Sequence, residues 1–307
     1  MKIIDFDKLS IKDKTVITFG NFDGLHLGHD KLITNLLEIA NTNNLKSLLL
    51  TFNPHTRSVV KKDEDNFIIT PHKLKLELLK EYSLDYISVI QFNKKFSEIK
   101  PFHFIDTIIA SCNPAIVLIG YDNRFGSKGE GNYEILKKYL SEKNIKAIKF
   151  QEYYFNDISI KSTLVKKLIK KGEIERASSY LGRSFSLCGS VVEGKGRGKE
   201  LGFPTANLKL TDKEQIIPKV GLYYVNFVDG HESYKALCNI GYRPTFDDDE
   251  ILSIESYIIK DGNFDFYHKE IRVEFLKYLR DEIIFSSKEE LINQIKNDII
   301  SVEKVTD

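Results

Sequence analysis

The stretch Thr-Val-Ile-Thr-Phe-Gly-Asn-Phe-Asp-Gly-Leu-His-Leu-Gly-His, from Thr15 to His29, decides the fold of the first half of the chain. Its first five residues are β-branched or aromatic, and they predict a strand that ends at Gly20. Apolar residues then recur at helical spacing, at Leu32, Ile33, Leu36, Leu37 and Ala40. The stretch therefore predicts a strand, a glycine-rich turn and a helix in direct succession.

The same alternation continues towards the C-terminus. Apolar runs at residues 46–52, 86–92 and 115–119 predict further strands. Pro71, which can occupy the first turn of a leucine-rich helix, and the apolar residues within 104–109 predict the helices between them. Strands and helices that alternate in this way, with nearly continuous apolar strands, are typical of a parallel sheet covered by helices on both faces.

Strand patterns dominate after a helical segment at residues 162–181. The predicted strands are 185–192, 222–228, 234–240, 252–259 and 270–275, several of them separated by turns rich in glycine and aspartate. Short strands at this spacing favour a small antiparallel β-barrel. A last helix is predicted from Ser286 or Ser287, either of which can cap it, to residue 302. We expect two domains, residues 1–182 and residues 183–307.

Length, charge and composition restrict the class of protein. The 307 residues suffice for two buried cores, and 42% hydrophobic with 29% charged residues is ordinary for a globular protein. A net charge of +1 indicates neither nucleic acid nor a membrane surface as the main partner. The acidic N-terminus does not match a signal peptide, and no apolar stretch approaches the ~20 residues of a membrane span. Three cysteines without paired spacing predict neither zinc nor disulfides, and we expect a cytoplasmic protein.

The glycine-rich turn after the first strand is a candidate phosphate site. In an open α/β sheet, ligands bind at the carboxyl ends of the strands, and glycines there let the backbone approach a phosphate. The following helix start offers free N–H groups, and His26 and His29 can both face the anion. They would donate hydrogen bonds to ATP phosphates and stabilise charge as pyrophosphate leaves. The alternative is a structural turn with incidental histidines.

A second candidate site lies at residues 189–208. Its loop mixes glycines with cations, and we expect it to bind triphosphate through Gly194, Lys195, Gly196, Gly198 and Lys199. Thr205 and Asn207 alternate on a strand and share one face, where their neutral oxygens suit Mg²⁺ that arrives with ATP. The loop lacks the Gly-Lys-Ser/Thr of a Walker motif. By composition alone, a generic glycine-rich hairpin remains the alternative.

The first candidate site resembles a known motif. Residues 20–29, Gly-Asn-Phe-Asp-Gly-Leu-His-Leu-Gly-His, are similar to the HxGH motif of nucleotidylyltransferases, in the longer form found in bacterial FAD synthetases. Segments 51–56, 119–126 and 161–166 resemble further motifs of that family, with Thr56, Asn123, Lys161 and Lys166 as substitutions. The resemblance implies that the nucleotide is bound by Gly20, Asn21, Phe22, Asp23, His26, Gly28, His29, Asp122, Ser162, Thr163 and Lys166, with Asp122 at the ribose or adenine. Lys166 keeps the charge of the family's arginine without its bidentate fork, and a solvated lysine on a surface helix is the alternative.

The second candidate site resembles riboflavin kinases. Residues 196–208 are similar to the family motif that ends in Pro-Thr-Ala-Asn, and segments 239–246, 254–257 and 273–280 follow in family order. The resemblance implies that Glu255 is the base that accepts the proton of the riboflavin 5′-hydroxyl. A lone glutamate on a strand would otherwise belong to a solvated face. The turn at residues 265–268 departs from the family pattern, with one residue inserted before it.

Together, these segments identify the chain as similar to the bacterial bifunctional riboflavin kinase/FAD synthetase family over nearly its whole length. The resemblance implies a Rossmann-like nucleotidylyltransferase domain, then a small antiparallel β-barrel of riboflavin kinase type with a C-terminal helix. It implies phosphorylation of riboflavin to FMN and adenylylation of FMN to FAD with release of pyrophosphate. The expected ligands are riboflavin, FMN and ATP with Mg²⁺; no nucleic acid or membrane partner is expected, and the oligomeric state is left open.

Two alternatives stay open at this point. The four substitutions favour a riboflavin kinase whose adenylyltransferase domain is degenerate, whereas the intact His-Leu-Gly-His opposes it. A flavin-sensing regulator that binds FMN and RNA without turnover is a different class, and the near-neutral charge opposes it.

Overall fold

A computed structural model describes residues 1–60, 67–194, 198, 202–244, 250–260, 262 and 264–303. The chain divides into two compact units, Met1–Ser162 and Thr163–Asp307. This division precedes the predicted boundary at residue 182, because the helix Ile174–Leu181 packs on strands of the barrel that follows it. The domain limits 1–182 and 183–307 stay a prediction.

The first unit is built on a six-stranded sheet in which every strand pair is parallel. The strands are β1 (Lys2–Asp5), β2 (Thr15–Gly20), β3 (Lys46–Asn53), β4 (Tyr86–Gln91), β5 (Pro114–Gly120) and β6 (Lys146–Phe150). Their order across the sheet is β1-β4-β3-β2-β5-β6. The predicted parallel α/β fold is confirmed, although β1 and β6 were not among the predicted strands.

Helices connect these strands. They are α1 (Leu27–Thr42), α2 (Thr56–Val60), α3 (His72–Leu79), α4 (Lys94–Ser97), α5 (Pro101–Cys112) and α6 (Tyr133–Ser141). Short 3₁₀ turns occur at Phe6–Lys8 and Ser127–Gly129, and a small hairpin of β7 (Tyr154–Phe155) and β8 (Ile158–Ser159) ends the unit. The predicted helices correspond to α1, α3 and α5.

The sheet has a buried core on each face, as its continuous apolar strands require. On β2, Ile17 and Phe19 belong to one core and Val16 to the other. Helix α5 covers the first face and α1 covers the second, through Ile33 and Leu36. Both helices therefore fix the position of the strand end at Gly20.

The strand order reverses between β2 and β5. From β2 the chain proceeds outward through β3 and β4, then returns to add β5 on the other side. The carboxyl ends of these two strands, Gly20 and Gly120, border the crevice where open α/β sheets bind ligands. The side-chain amide of Asn123, which follows β5, donates to the carbonyl of Phe19 on β2 over 2.8 Å and so joins the two strand ends.

The second unit begins with two helices and continues as a barrel. Helices α7 (Ser162–Lys170) and α8 (Ile174–Leu181) replace the single predicted helical segment, because Gly172 interrupts it with φ +77°. The barrel strands are β9 (Phe185–Val192), β10 (Thr205–Leu210), β11 (Gly221–Asp229), β12 (Glu232–Pro244), β13 (Glu250–Ile258) and β14 (Glu270–Arg280). They close in the order β10-β13-β12-β11-β14-β9, with every pair antiparallel, so the predicted barrel is confirmed.

The last helix, α9 (Lys288–Glu303), is present as predicted, and it packs on the barrel through Ile299 and Val302. Its start is capped by Ser287, whose hydroxyl accepts the N–H of Glu290 over 3.2 Å. Farther along, buried Asp298 receives the guanidinium of Arg280 from β14, with Nη2 at 2.8 Å. In the described part of the chain, no helix is long and apolar enough to cross a membrane.

Candidate functional sites

The turn between β2 and α1 presents two stacked histidines. His26 caps α1, its Nδ1 accepting the N–H of His29 over 3.4 Å. The two imidazole rings lie 3.8 Å apart between centroids and within 15° of parallel. A Cβ at Gly28 would lie 3.2 Å from the His26 ring, so glycine leaves the room that this ring occupies. The predicted pair is therefore assembled at a helix N-terminus, where anions bind.

The rest of the turn is held by side-chain to backbone bonds. Asp23 is buried, and its Oδ1 accepts the N–H groups of Ile69 and Thr70 over 2.8 and 3.2 Å. The Asn21 side chain donates to the Thr56 hydroxyl over 2.9 Å and accepts the Thr56 N–H over 3.1 Å. The family motif has a proline where this chain has Thr56. The threonine hydroxyl thus supplies a hydrogen-bond acceptor that proline lacks.

A buried lysine supports the same turn, and the motif analysis missed it. Lys75 on α3 is 5% exposed, and its Nζ donates to the carbonyls of Asn21 over 3.0 Å and Phe52 over 3.2 Å. Burial lowers the pKa of Lys75 to about 8, although the charge of Asp23 opposes this shift. Lysines alternating with leucines along a helix gave no signal that this one faces inward.

The remaining predicted residues of the first site lie at strand and helix ends. Ser162, the last residue of the first unit, donates its hydroxyl to the carbonyl of Asp23 over 2.9 Å. Asp122 is exposed directly after β5. Thr163 and Lys166 belong to the second unit, in the first two turns of α7. The structure therefore brings Ser162 to the turn, and the nucleotide roles of all four residues stay predictions.

Lys161 takes part in a polar cluster of the first unit. Its Nζ lies 3.4 Å from a Glu152 carboxylate oxygen and 5.3 Å from the centroid of the Tyr121 ring. Hydrogen bonds from Ser159, then from Tyr121 and Tyr154, lower the pKa of Glu152 to about 2. This substitution thus has defined partners next to α7.

A cavity of about 320 Å³ adjoins the turn. Its walls are largely aromatic, and polar groups from the ends of β2 and β5 line one side. The aromatic members are Phe19, Phe52, Phe92, Phe96, Phe104 and Phe125, and the polar members include Asn21, Asn123, Arg124 and Lys128. Such walls suit a planar ring with an anionic tail.

The second candidate site lies on the outer face of the barrel. Strand pairing sets Glu255 of β13 opposite Asn207 of β10 on one side and Asn239 of β12 on the other. The hydroxyls of Thr205 and Ser253 donate to the two Glu255 carboxylate oxygens, over 3.2 and 3.4 Å. The structure therefore brings Glu255, Thr205 and Asn207 together, as the sequence predicts, and adds Ser253 and Asn239.

Two glycines of the cationic loop lie against the side chains that surround Glu255. A side chain at Gly194 would clash with the Asn207 amide, and one at Gly198 would clash with the carbonyl of Phe203 and lie 3.3 Å from Oγ1 of Thr205. The backbone at Gly194 and Gly198 therefore approaches both predicted metal ligands, a close approach of the kind that phosphate-binding loops use. Lys195, Gly196 and Lys199 were predicted to bind phosphate as well, and they lie outside the described residues.

Comparison with known proteins agrees with both sites. The family model for FAD synthetase matches residues 8–164, and the model for riboflavin kinase matches residues 181–306. A bifunctional riboflavin kinase/FMN adenylyltransferase from Listeria monocytogenes is 34% identical, covering 92% of this chain and 90% of that protein. The chain belongs to the bifunctional riboflavin kinase/FMN adenylyltransferase family. The family predicted from the sequence is confirmed.

Other relatives of this riboflavin kinase/FMN adenylyltransferase family member match over similar lengths. The Bacillus subtilis protein of the same description is 33% identical and covers 93% of this chain and 90% of its own. A crystal structure from Streptococcus pneumoniae, described as a macrolide-efflux protein, superposes with a TM-score of 0.86 at 28% identity over 97% of this chain and 96% of that chain. As a riboflavin kinase/FMN adenylyltransferase family member the chain is an enzyme of flavin biosynthesis, with a kinase domain and a nucleotidyltransferase domain.

Proposed function

We propose that the second unit phosphorylates riboflavin to FMN and that the first unit adenylylates FMN to FAD, with Mg²⁺ and ATP in both reactions. The arrangement of Glu255, Thr205 and Asn207 on one barrel face carries the first assignment. The stacked histidines at a helix N-terminus, beside the strand reversal, support the second.

In the kinase reaction, the riboflavin hydroxyl attacks the γ-phosphate of ATP, ADP leaves as the bond between the β- and γ-phosphates breaks, and Glu255 accepts the hydroxyl proton. Such transfers depend mainly on positioning and on neutralising phosphate charge, with modest help from a base. The hydrogen bonds from Thr205 and Ser253 orient the Glu255 carboxylate for this role. Gly194 and Gly198 allow the loop backbone to lie against the phosphates.

The side chains around Glu255 fit Mg²⁺. Thr205 and Asn207 offer neutral oxygens on one strand face, and the Asn207 amide lies against Gly194, where a side chain would clash with it. Mg²⁺ prefers few protein ligands and completes its shell with water and phosphate oxygens. When bound there, the metal supplies charge neutralisation at the ATP phosphates.

In the adenylyl transfer, the FMN phosphate attacks the α-phosphate of ATP and pyrophosphate leaves. His26 and His29 donate hydrogen bonds to the phosphates, together with the free N–H groups at the start of α1. Gly20, Asn21, Phe22, Asp23 and Gly28 shape this turn. Asp122 and Ser162 bind the remainder of ATP, and the resemblance implies the same role for Thr163 and Lys166.

The aromatic cavity of the first unit is assigned to the flavin ring of FMN. It shares Gly20 and Asn21 with the phosphate-binding turn, so a ring in the cavity would place its phosphate near the turn. Arg124 and Lys128 line the same cavity and offer positive charge to the FMN phosphate. Asp122, which we assign to ATP, does not line it.

The substituted residues of the first unit support adenylyl transfer rather than a degenerate domain. Thr56 fixes Asn21, Asn123 joins the ends of β2 and β5, and Lys161 is anchored by Glu152. Each of these three substitutions therefore has a contact that stabilises the site.

One incubation tests the proposal as a whole. Riboflavin, ATP and Mg²⁺ are supplied, and FMN and FAD are separated by chromatography; we expect both products. FMN without FAD, from oxidised and from reduced flavin, would favour the degenerate-domain alternative. We place the enzyme in the cytoplasm, where its ATP is available, and expect no RNA shift in a gel at physiological salt.

A further inference from the structure

The buried lysine under the phosphate-binding turn offers a role beyond the motif residues. Lys75 joins two chain segments, because its Nζ contacts the carbonyl of Asn21 in the turn and that of Phe52 near the end of β3. The Asn21 carbonyl also accepts the Thr51 hydroxyl over 3.3 Å. This carbonyl is therefore bound from β3 and from α3 at once.

The segment that carries Lys75 also forms hydrogen bonds with the phosphate-binding turn at a second position. Ile69 and Thr70, which precede α3, donate their N–H groups to the carboxylate of Asp23. The Asp23 charge in turn acts on Lys75 and favours its protonated form. Residues 69–75 thus hold the turn at Asn21 and at Asp23, on both sides of Phe22.

Lys75 is the positive charge beneath the turn, beside the negative charge of Asp23. Burial, and then the positive charge of Lys75, lower the pKa of His72 to about 4, so His72 is neutral at pH 7. Lys75, with a pKa of about 8, is mostly protonated there. A cation in a desolvated position raises the potential at the turn more than a solvated one would. The turn thereby becomes more attractive to phosphate.

We propose that Lys75 is a positioning residue of the adenylyltransferase site. Its ammonium fixes the carbonyls of Asn21 and Phe52, so that the turn holds its shape, and its charge strengthens the binding of the ATP phosphates. It acts through the turn and need not touch the substrate. The inference rests on the proposed adenylyl transfer in the first unit.

The variant K75M tests this, with K80M as its control. Methionine keeps the length of the buried chain but removes the donors, whereas Lys80 is exposed at the end of the same helix. We expect K75M to lower kcat/KM for ATP in FAD formation by about tenfold or more, as loss of a charged hydrogen-bond donor commonly does. FMN formation by the same protein should stay within about twofold of K80M, since the kinase site is built in the other unit. Equal FAD formation by the two variants would overturn the inference.

A pH profile separates positioning from a merely structural role and needs no variant to fold. Lys75 loses its proton between pH 7 and pH 9, so KM for ATP in FAD formation should rise several-fold there, and K75M should show a flat profile. The groups that act on Lys75 are Asp23 from the turn and His72 from its own helix, and His72 is already neutral in this range. A KM that stays constant in the unaltered protein would refute the role. Absence of FAD from the unaltered protein and from K80M alike would instead reject the proposed function, and the inference with it.

Discussion

The hydroxyl of Thr205 on β10 donates to the carboxylate of Glu255 on β13 over 3.2 Å, across 50 positions of sequence. The strands are direct neighbours, with Asn207 opposite Glu255 in register. The proposed base and the two proposed metal ligands therefore form one group on a rigid sheet. Rigid elements hold such groups more accurately than loops do.

We expect E255Q to lower FMN formation by about 100-fold or more, because the amide cannot accept the hydroxyl proton. Conversion of supplied FMN to FAD should stay unchanged in the same protein. E289Q, on the exposed side of α9, serves as the control. Kinase turnover by E255Q at the control rate would remove Glu255 from the role of base.

The double variant T205A/N207A should need more Mg²⁺ for FMN formation and should be slower by about 100-fold, since both neutral oxygens are lost. The measurement is a Mg²⁺ titration of the initial rate at saturating ATP. K209A, on the same strand with an exposed side chain, should titrate like the unaltered protein. An unchanged titration for the double variant would show that the metal is held elsewhere.

H29A should lose FAD formation by about 100- to 1000-fold, the usual cost of removing one donor to developing charge. His29 also stacks on His26, so H29N is the companion variant: it retains a donor but not the ring. A partial recovery in H29N would assign the effect to hydrogen bonding. FMN formation is the internal reference, and H29A with full FAD formation would contradict the assignment.

The cavity assignment can be tested by filling the cavity. Ser97 lines it, and S97F should raise KM for FMN in FAD formation by about tenfold, because a phenyl ring competes with the flavin for space. S141F is a matched control: both serines donate their hydroxyls to the carbonyl three residues back over 2.7 Å, and Ser141 lies outside the cavity. If S97F raised KM for ATP and left KM for FMN unchanged, the cavity would belong to ATP.

The pH dependence of stability should respond to His72. Its pKa is lowered to about 4, so the unfolded chain binds more protons between pH 6.5 and pH 4, and stability falls as the pH falls through this range. For a partly buried group we expect H72Q to lessen this loss by about 1–3 kcal/mol. Calorimetric unfolding of the full chain at pH 7 and pH 4.5 measures it, with H103Q, at an exposed position, as the control. A pH dependence equal to that of H103Q would contradict the lowered pKa.

Most of the fold prediction rests on the periodic spacing of apolar residues. The strand at β2 and the helix at α1 follow from uninterrupted apolar patterns, and the barrel strands from alternation between turns. Strand β6 was missed because Lys146 at its start and Lys149 in its interior interrupt its apolar residues. The two helices α7 and α8 were predicted as one segment, since a single glycine often sits within a helix and only the folded chain shows φ +77° at Gly172.

The site was predictable where it follows motifs and not where it depends on tertiary burial. His26, His29, Thr205 and Glu255 were named from sequence. The structure stacks the two histidines and places Thr205 against Glu255, and their roles stay predictions. Lys75 could not be found in this way. Its burial arises because α3 lies over the ends of two strands, a placement that no local pattern contains.

Side chains alternate between the two faces of β13, so enzymatic activity depends on the register of this strand. Ile254, Ser256 and Ile258 are buried, whereas Glu255 shares the opposite face with Ser253. Deleting a single residue upstream within the strand would turn Glu255 toward the barrel interior and leave a neighbouring side chain in its place at the kinase site. Insertions and deletions of odd length should therefore be rare in this strand among active descendants of the chain.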